Sequence, residues 1–215
     1  MAPPRLLLLD FDGVLAHYDR RARCRHLARS LGVDELKVHE VLFGANGLEA
    51  RSDRGELDLP GYLQALRQTQ GWLLEPRHFL AARQAATVAN PAMLQLCRGL
   101  APRLTLAVLS NNGAWFAEHV DAIVPGLRPL FGDRLLCSGA LGVCKPEPAA
   151  YAAALSRLGH GAGDTVFIDD NRDNVATALA LGLHARHFTG IADLRIALAE
   201  LGLDPEPDFG DDDAT

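Results

Sequence analysis

A run of four leucines at residues 6–9 ends directly in Asp10-Phe11-Asp12-Gly13-Val14. A short apolar run that stops at a turn signal predicts a strand buried on both faces, which is typical of a parallel sheet. In open α/β sheets, ligands bind outside the carboxyl ends of the strands. The two carboxylates therefore indicate a ligand site. An ordinary Asp-Gly turn, with a capping aspartate and a glycine at positive φ, would explain the same residues, so both interpretations are open at this point.

The second half of the chain alternates between short apolar runs and longer helical patterns, which predicts βαβ units around a parallel sheet. The predicted strands are residues 5–9, 104–109, 134–137, 165–168 and 184–187. The predicted helices of this part are residues 92–100, 114–120, 148–158, 171–181 and 191–201. The expected fold class is therefore α/β.

Residues 14–88 have a different pattern, with repeated helical periodicity and no convincing strand. Glycines divide this segment into about four predicted helices, at residues 20–31, 35–43, 59–68 and 77–88. We therefore expect an all-helical block inserted after the first strand. The α/β core would then be discontinuous and consist of residues 1–13 and 89–203.

Charge limits the partners of this chain. Its 215 residues carry 27 acidic and 21 basic side chains, a formal net charge of −6. Residues 204–215 contain six of the acidic residues and no basic one, so the rest of the chain is neutral. This balance argues against a nucleic-acid partner, which would need a basic face. The acidic segment is predicted to be a disordered tail, with an acidic interaction arm as the alternative.

The cysteines and the N-terminal segment exclude several other classes. The cysteines are far apart and form no CxxC pair, so we expect reduced packing thiols and no zinc site at Cys24, Cys97, Cys137 and Cys144. The four leucines are too few for a signal-peptide core or a membrane span. We therefore expect a cytoplasmic protein with no membrane partner.

Polar residues adjoin three further predicted elements. Ser110-Asn111-Asn112-Gly113 follows a predicted strand and either caps a helix or binds an anion through helix N-terminal amides. Asp169-Asp170-Asn171 follows another strand, where one capping aspartate would have sufficed. Lys145-Pro146 lies in a loop ahead of a helix, although an isolated lysine is usually exposed surface.

The carboxyl ends of parallel strands lie at one edge of the sheet, so Asp10, Asp12, Asp169 and Asp170 are expected to converge. Two carboxylates about 4 Å apart repel each other by about 4 kcal/mol at an effective dielectric constant of about 20. Such a cluster requires a cation, and oxygen ligands that leave room for water and a phosphate favour Mg²⁺. With Lys145 as a second positive charge, these are the electrostatic components of phosphoryl transfer.

In this order, the four segments resemble the motifs of the haloacid dehalogenase-like (HAD) hydrolases, over residues 5 to about 200. The motifs are Asp10-x-Asp12-Gly-Val, Ser110-Asn111, Lys145-Pro146 and Ile168-Asp169-Asp170-Asn171. Within the family, the chain most resembles the branch that contains small sugar-phosphate phosphatases and the phosphatase domain of epoxide hydrolases. The segments that carry this resemblance are Leu109-Ser110-Asn111, Lys145-Pro146-Glu147, Phe167-Ile168-Asp169-Asp170-Asn171-x-x-Asn174 and Arg54-Gly55-Glu56-Leu57. The resemblance implies a Rossmann-like core with a helical cap domain, residues 14–88, that closes over the site.

The resemblance also implies catalytic roles for four residues. Asp10 would attack phosphorus and form an aspartyl-phosphate. Asp12 would protonate the leaving oxygen and then activate the water that hydrolyses this intermediate. Ser110 and Lys145 would hold the transferring phosphoryl oxygens.

Mg²⁺ is the cofactor that the resemblance implies. Its ligands would be Asp10, the backbone carbonyl of Asp12 and Asp170, with Asp169 contributing directly or through water. Asn174 would brace this loop from behind the ligands, or it is an ordinary helix residue.

Substrate recognition in capped members of the family falls to the cap and to the loop after the first motif. The candidates here, each with an ordinary structural alternative such as a surface ion pair or a place in the cap core, are His17, Tyr18, Arg51, Arg54 and Trp72. We predict Asn111, His17 and Arg51 as substrate-binding residues. Trp115 and Phe116 would line the pocket or a dimer contact, and the oligomeric state is open.

Asp12 favours phosphoryl chemistry within the family, because a halide leaving group needs no acid and dehalogenases usually lack this second aspartate. A phosphomutase of the β-phosphoglucomutase type would share all four motifs, and a non-catalytic HAD-fold binding module is a further alternative. We expect a Mg²⁺-dependent phosphatase that acts on a small phosphorylated metabolite, such as a sugar phosphate. Its partner would be a small-molecule phosphate ester enclosed beneath the cap.

Overall fold

The computed structural model describes residues 3–203, so the predicted acidic tail at 204–215 lies outside the described residues. It contains seven strands, β1 to β7 in chain order: Leu6–Leu9, Ala16–Tyr18, Thr87–Ala89, Thr105–Ser110, Leu135–Cys137, Thr165–Asp169 and His184–His187. Five of them form one sheet in the order β5-β4-β1-β6-β7, and every neighbouring pair is parallel. The prediction of an α/β fold with a parallel sheet is confirmed.

The first strand lies at the centre of the sheet. Leu9 pairs in register with Val108 of β4 on one side and with Ile168 of β6 on the other. The residues that follow these three strands therefore lie at the same edge of the sheet. The chain order also changes direction here, which is where open α/β sheets bind ligands.

The four leucines are consecutive because both faces of β1 are covered. Side chains alternate between the two faces of a strand, and all four leucines are fully buried. Leu7 and Leu9 belong to one hydrophobic cluster, whereas Leu6 and Leu8 belong to a second one with Tyr151. A strand with one solvated face would instead have alternated with polar residues.

The inserted segment contains five helices, α1 to α5: Arg20–Leu31, Glu35–Phe43, Leu48–Asp53, Leu59–Gln70 and Pro76–Ala85. The six-residue α3 was not predicted, because it is too short to show a helical period. The segment also contains strands, which the sequence did not indicate: β2 and β3 pair antiparallel, with Ala16 opposite Ala89. The predicted helix at 77–88 accordingly ends at Ala85. Three-residue strands are too short for an alternating pattern to be recognised.

Eight further helices, α6 to α13, accompany the sheet: Pro91–Leu100, Ala114–Glu118, Val120–Ile123, Arg128–Phe131, Ser138–Leu141, Pro148–Leu158, Arg172–Ala180 and Ile191–Glu200. The predicted helix at 114–120 is interrupted at His119, where α7 ends and α8 begins. The four-residue helices α9 and α10 were not predicted. Among residues 3–203, no helix has the length and apolar character needed to cross a membrane.

The inserted helices share a hydrophobic core with the sheet. Tyr62 and Phe79 of the insert belong to the same buried cluster as Leu9 and Trp115. The Trp115 indole donates a hydrogen bond to Ser52 Oγ at 3.1 Å, which joins α3 to α7. All four cysteines are free thiols, of which Cys24, Cys97 and Cys137 are buried and Cys144 is half-buried.

Candidate active site

Three carboxylates meet at the carboxyl edge of the sheet. Asp10, Asp169 and Asp170 each place one oxygen within 4.8 Å of the others, a grouping that can hold a metal ion. Asp10 and Asp169 are buried, whereas Asp170 is exposed. The grouping follows from the pairing of β1 with β6, which brings the ends of the two strands together.

Lys145 supplies positive charge to this cluster from a buried position. Its Nζ lies 2.9 Å from Asp10 Oδ1 and 2.7 Å from Asp169 Oδ2. Burial raises the pKa of Asp10 to about 7, although the charge of Lys145 opposes this shift. Burial also lowers the pKa of Lys145, but the two carboxylates outweigh it and the pKa is raised overall. The lysine is therefore a fixed cation.

Asn111 holds the loop that presents this lysine. Its Nδ2 donates to the Lys145 carbonyl at 2.7 Å, and its Oδ1 accepts from the Lys145 backbone N–H at 2.9 Å. Asn111 also lines the cavity in which the carboxylates lie. The side chain that the sequence assigned to substrate binding thus has a structural function in this arrangement.

Asp169 accepts several hydrogen bonds from the protein. Asn174 Nδ2 donates to both of its carboxylate oxygens at 3.0 Å, and the Asn171 backbone N–H donates to Oδ1 at 2.8 Å. The Asn174 carbonyl in turn accepts from the Tyr151 hydroxyl at 2.8 Å. Of the two expectations for Asn174, the bracing role therefore agrees with the geometry.

Gly13 allows the first motif to approach the third carboxylate closely. Its φ is +91°, in the region that favours glycine. A Cβ at this position would overlap the carboxylate of Asp170. The glycine that follows the two aspartates is therefore required both by the turn and by the carboxylate that packs on it.

Asp12 does not join the three-carboxylate group through its side chain. Its two oxygens accept from Arg83 Nη2 at 2.8 and 2.7 Å, and Oδ2 accepts from Asn112 Nδ2 at 3.3 Å. Asn112 also donates to the buried Ser110 Oγ at 2.8 Å. Ser110 and Asp12 are thereby placed on one wall of the cavity.

Arg83 is a site residue that sequence reasoning missed. It lies on α5 of the insert and is fully buried. Its guanidinium carbon is 3.7 Å from the centre of the Tyr18 ring. The one available signal was its place on a helical face otherwise made of apolar residues such as Phe79 and Ala82.

The cavity that contains these groups has a volume of about 820 Å³. The core contributes Asp10, Asp12, Asp170, Ser110 and Lys145, and the insert contributes a second wall made of His17, Tyr18, Arg20, Phe43, Glu49 and Asp53. His17 and Tyr18 were among the predicted candidates. Arg20, Phe43, Glu49 and Asp53 were not, because nothing in the sequence shows which face of each helix turns toward the core.

The remaining predicted substrate residues lie elsewhere. Arg51 is not part of the cavity lining, because its Nε pairs with Glu56 Oε2 at 3.1 Å on the surface. Arg54 is exposed outside the cavity. Trp72 is buried in the hydrophobic cluster that the insert shares with the sheet. Substrate binding by Arg51 stays a prediction; in this structure its side chain pairs with Glu56 at the surface.

Two carboxylates of α3 face the cavity from the insert. Glu49 accepts from Arg23 Nη1 at 2.9 Å and from the Tyr62 hydroxyl at 2.6 Å. The Asp53 carboxylate has no such partner in the hydrogen bonds and ion pairs of residues 3–203, although the Asp53 backbone carbonyl accepts from Cys144 Sγ at 3.3 Å. Burial raises the pKa of Asp53 to about 8, and the negative charges of Glu49 and Asp12 contribute.

Comparisons with known proteins identify similar sequences and structures. A family model for hydrolases, described as haloacid dehalogenase-like hydrolase, matches residues 4–182. Among curated proteins, the chain is 31% identical over 106 residues to acyl-CoA dehydrogenase family member 10 of Mus musculus, a match that covers 49% of this chain. It is 26% identical over 195 residues, or 86% of this chain, to the drimenol cyclase DrtB of Aspergillus calidoustus. The matches cover only 10% and 34% of these longer proteins.

Solved structures share the fold. A HAD-like family hydrolase from Porphyromonas gingivalis superposes with a TM-score of 0.77 at 23% identity, covering 92% of this chain and 98% of that one. A HAD family enzyme from Bacteroides thetaiotaomicron, crystallised with magnesium and inorganic phosphate, gives 0.71 at 22% identity over 86% and 93%. L-2-haloacid dehalogenase from Xanthobacter autotrophicus gives 0.60 at 22% identity over 92% and 81%.

Proposed function

Since the chain belongs to the haloacid dehalogenase-like hydrolase family, we propose that it is a Mg²⁺-dependent phosphatase acting on a small phosphorylated metabolite, such as a sugar phosphate. The observation that carries this proposal is the grouping of Asp10, Asp169 and Asp170 around the buried Lys145. One lysine does not balance three carboxylates, so the cluster has an excess of negative charge. A divalent cation would compensate this negative charge and could bind a phosphate at the same time.

The donor set fits Mg²⁺. All the candidate ligand atoms are oxygens, which hard cations prefer, and Gly13 leaves room for Asp170 to approach the first motif. We assign the metal to Asp10, the backbone carbonyl of Asp12 and Asp170. Asp169, whose oxygens already accept from Lys145 and Asn174, would contribute through water. When bound, the ion would neutralise the charge of the phosphoryl oxygens.

The protein groups then divide the reaction between them. Asp10 would attack phosphorus, forming an O–P bond as the ester bond breaks, and Asp12 would give its proton to the leaving oxygen. Asp12, now a carboxylate, would take a proton from the water that hydrolyses the aspartyl-phosphate. Lys145 and Ser110 would stabilise the phosphoryl oxygens during both steps.

The insert supports a small, hydroxylated leaving group. The cavity of about 820 Å³ lies within the usual range for small ligands. The wall from the insert offers His17, the Tyr18 hydroxyl and the Asp53 carboxyl as hydrogen-bonding groups. We therefore propose that residues 14–88 act as a cap and that the partner is a small phosphate ester, not a nucleic acid. A cytoplasmic location, with free thiols, belongs to the same proposal.

The fold alone also admits dehalogenation, since L-2-haloacid dehalogenases share it. Asp12 favours the phosphatase, because its carboxyl lies at the cavity and can protonate an alkoxide that a halide would not require. A phosphomutase would use the same residues but return the phosphoryl group to a sugar. A non-catalytic module would release no phosphate at all.

The test is phosphate release from p-nitrophenyl phosphate and from a panel of sugar phosphates, with Mg²⁺ and with EDTA. The wild type is compared with Asp10→Asn and with the surface control Asp121→Asn. We expect metal-dependent release that Asp10→Asn abolishes and Asp121→Asn retains. Absence of release by a folded, magnesium-loaded wild type would exclude the phosphatase, and assays of sugar-phosphate isomers and chloro-acids would then separate mutase from dehalogenase.

A further inference from the structure

An arginine of the insert binds the carboxylate next to the proposed nucleophile. Arg83 and Asp12 are 71 residues apart in the sequence, yet Arg83 Nη2 lies 2.8 and 2.7 Å from the two Asp12 oxygens. The Arg83 side chain is 1% exposed and that of Asp12 is 27% exposed. The arginine is therefore buried on the side of Asp12 away from the cavity, whereas the Asp12 carboxylate itself lines the cavity.

Arg83 is surrounded by aromatic rings and forms an ion pair with Asp12. Its guanidinium packs on the Tyr18 ring at 3.7 Å and lies 5.2 Å from the centre of the Phe116 ring. Among residues 3–203, Asp12 is its ion-pair partner, and its Nε and Nη1 make no hydrogen bond. Removing a guanidinium from water costs free energy, and an ion pair with good geometry offsets part of that cost. For Arg83, the ion pair with Asp12 provides this compensation.

Asp12 is in turn held from two directions. Arg83 contacts both of its oxygens, and Asn112 Nδ2 reaches Oδ2 at 3.3 Å from the loop after β4. One holder belongs to the insert and the other to the core. The orientation of the carboxylate thus depends on the insert being packed in its observed position.

We propose that Arg83 is a positioning residue, which holds the Asp12 carboxyl at the leaving-group oxygen of the bound phosphate ester. This inference rests on the phosphatase function proposed above. Before the first step Asp12 takes up a proton from solvent, in competition with its ion pair to Arg83. The Asp10 oxygen then bonds to phosphorus, the ester P–O bond breaks, and Asp12 passes this proton to the leaving oxygen. Arg83 contacts the two oxygens of Asp12 but neither exchanges a proton nor touches the substrate; it acts through the direction in which Asp12 points.

The inference predicts a dependence on the leaving group. A sugar alkoxide is a poor leaving group and needs the proton, so the orientation of Asp12 matters for a sugar phosphate. The p-nitrophenolate anion is stable and leaves without a proton. Loss of Arg83 should therefore slow the two esters unequally, which a general loss of structure would not do.

The chain contains a matched control. Arg23 of α1 is also a buried arginine of the insert, with 1% of its side chain exposed, and it packs 4.8 Å from the centre of the Phe79 ring. Its ion-pair partner is Glu49, at 2.9 Å, and not Asp12. Arg23 also donates to the hydroxyl of Tyr18 at 3.0 Å, the ring on which Arg83 packs. Arg23→Met therefore removes a comparable buried cation and affects that ring, but it leaves the ion pair between Arg83 and the proposed acid in place.

The experiment measures kcat/KM, which reports the first chemical step, for p-nitrophenyl phosphate and for the best sugar phosphate. The enzymes are the wild type, Arg83→Met, Arg83→Lys, Arg23→Met, Asp12→Asn and the double variant Asp12→Asn/Arg83→Met. We expect Arg83→Met to lower the sugar-phosphate value about 100-fold and the p-nitrophenyl value less than about fivefold, in the range of general acid catalysis. Arg83→Lys should recover part of the loss, and Arg83→Met should cause no further loss in Asp12→Asn.

Other outcomes are equally specific. Equal losses for the two esters, as expected for Arg23→Met, or a full further loss in the Asp12→Asn background would overturn the positioning role. If the wild type releases phosphate from neither ester, the phosphatase proposal fails and this inference fails with it. Far-ultraviolet circular dichroism and thermal melting establish that each variant is folded before its kinetics are compared.

Discussion

Asn174 and Asp169 are joined through both oxygens of the carboxylate, with Asn174 Nδ2 at 3.0 Å from each. Both side chains are buried. Asp169 ends β6 and Asn174 lies in the first turns of α12, so the contact closes the loop that carries Asp170. Hydrogen bonds of this kind orient the residues around a metal and affect its affinity.

Asn174→Ala is expected to weaken Mg²⁺ binding about 10- to 100-fold, since loss of an outer contact costs metal affinity by that order. Titration calorimetry with Mg²⁺ measures the affinity directly, without any substrate. Thr177→Ala, one turn further along the same helix, is the control and should bind as the wild type does. Unchanged affinity in Asn174→Ala would show that the carboxylates are held without this bond.

Gly13→Ala separates two effects of one glycine. Its φ of +91° disfavours alanine, and a Cβ would overlap the Asp170 carboxylate. Gly32, with φ +67° and nothing within 4 Å of a Cβ, carries the backbone penalty alone. We expect Gly32→Ala to lose about 1–2 kcal/mol of unfolding free energy in urea denaturation, and Gly13→Ala to lose more because its Cβ also overlaps Asp170. Only Gly13→Ala should lose Mg²⁺ affinity. Equal Mg²⁺ affinities in the two variants would contradict this account.

Lys145→Met removes the cation that lies between two buried carboxylates. Breaking a buried ion pair by removing one partner costs about 3–5 kcal/mol, because it leaves an uncompensated charge. We expect a loss of this order in urea unfolding with EDTA, and a smaller loss with saturating Mg²⁺, which would replace part of the missing charge. Lys37→Met, at the exposed other lysine of the chain, is the control. A loss that is the same with and without Mg²⁺ would argue against a metal at these carboxylates.

The positions of Asp10, Ser110 and Asp169 were predictable because each one follows a short apolar run, whereas Lys145 lies in a loop ahead of a helix. Asp10 and Asp169 follow or end strands whose residues are buried on both faces, and such runs show in the sequence without any tertiary information. Parallel pairing puts the strand ends at the same edge of the sheet, and the carboxylates of the two strands meet because β6 is the neighbour of β1. The order β5-β4-β1-β6-β7 itself was not predicted, since an alternation of strands and helices is compatible with several orders.

The residues of the insert were less predictable, because an arginine on an amphipathic helix has the same sequence signal whether it is buried or solvated. Arg83 is buried against Asp12, whereas Arg51 is on the surface beside Glu56. The difference lies in which helical face turns toward the core, and that is decided by packing between distant segments. Local periodicity therefore predicted most of the insert's helices, but it did not identify the side chains that line the cavity.

Asp53 is expected to make the stability of the protein depend on pH. Burial raises the pKa of this carboxyl from 3.8 to about 8, with Glu49 and Asp12 contributing. An acid with a higher pKa in the folded than in the unfolded state binds more protons when folded, so unfolding free energy is lost as the pH rises from about 4 to about 8. Asp53→Asn has no carboxylate to desolvate and should be the more stable protein at pH 8, by at least about 1 kcal/mol, the equivalent of one pKa unit. Near pH 4 this advantage should vanish.

Urea unfolding of wild type and variant across this range, in EDTA, measures the difference in unfolding free energy, and contributions from other titrating groups cancel. Asp133→Asn, at an exposed aspartate, should give a curve parallel to the wild type. A curve for Asp53→Asn that is also parallel to the wild type would mean that Asp53 is ionised at no cost, and hence that the insert's wall of the cavity is well hydrated.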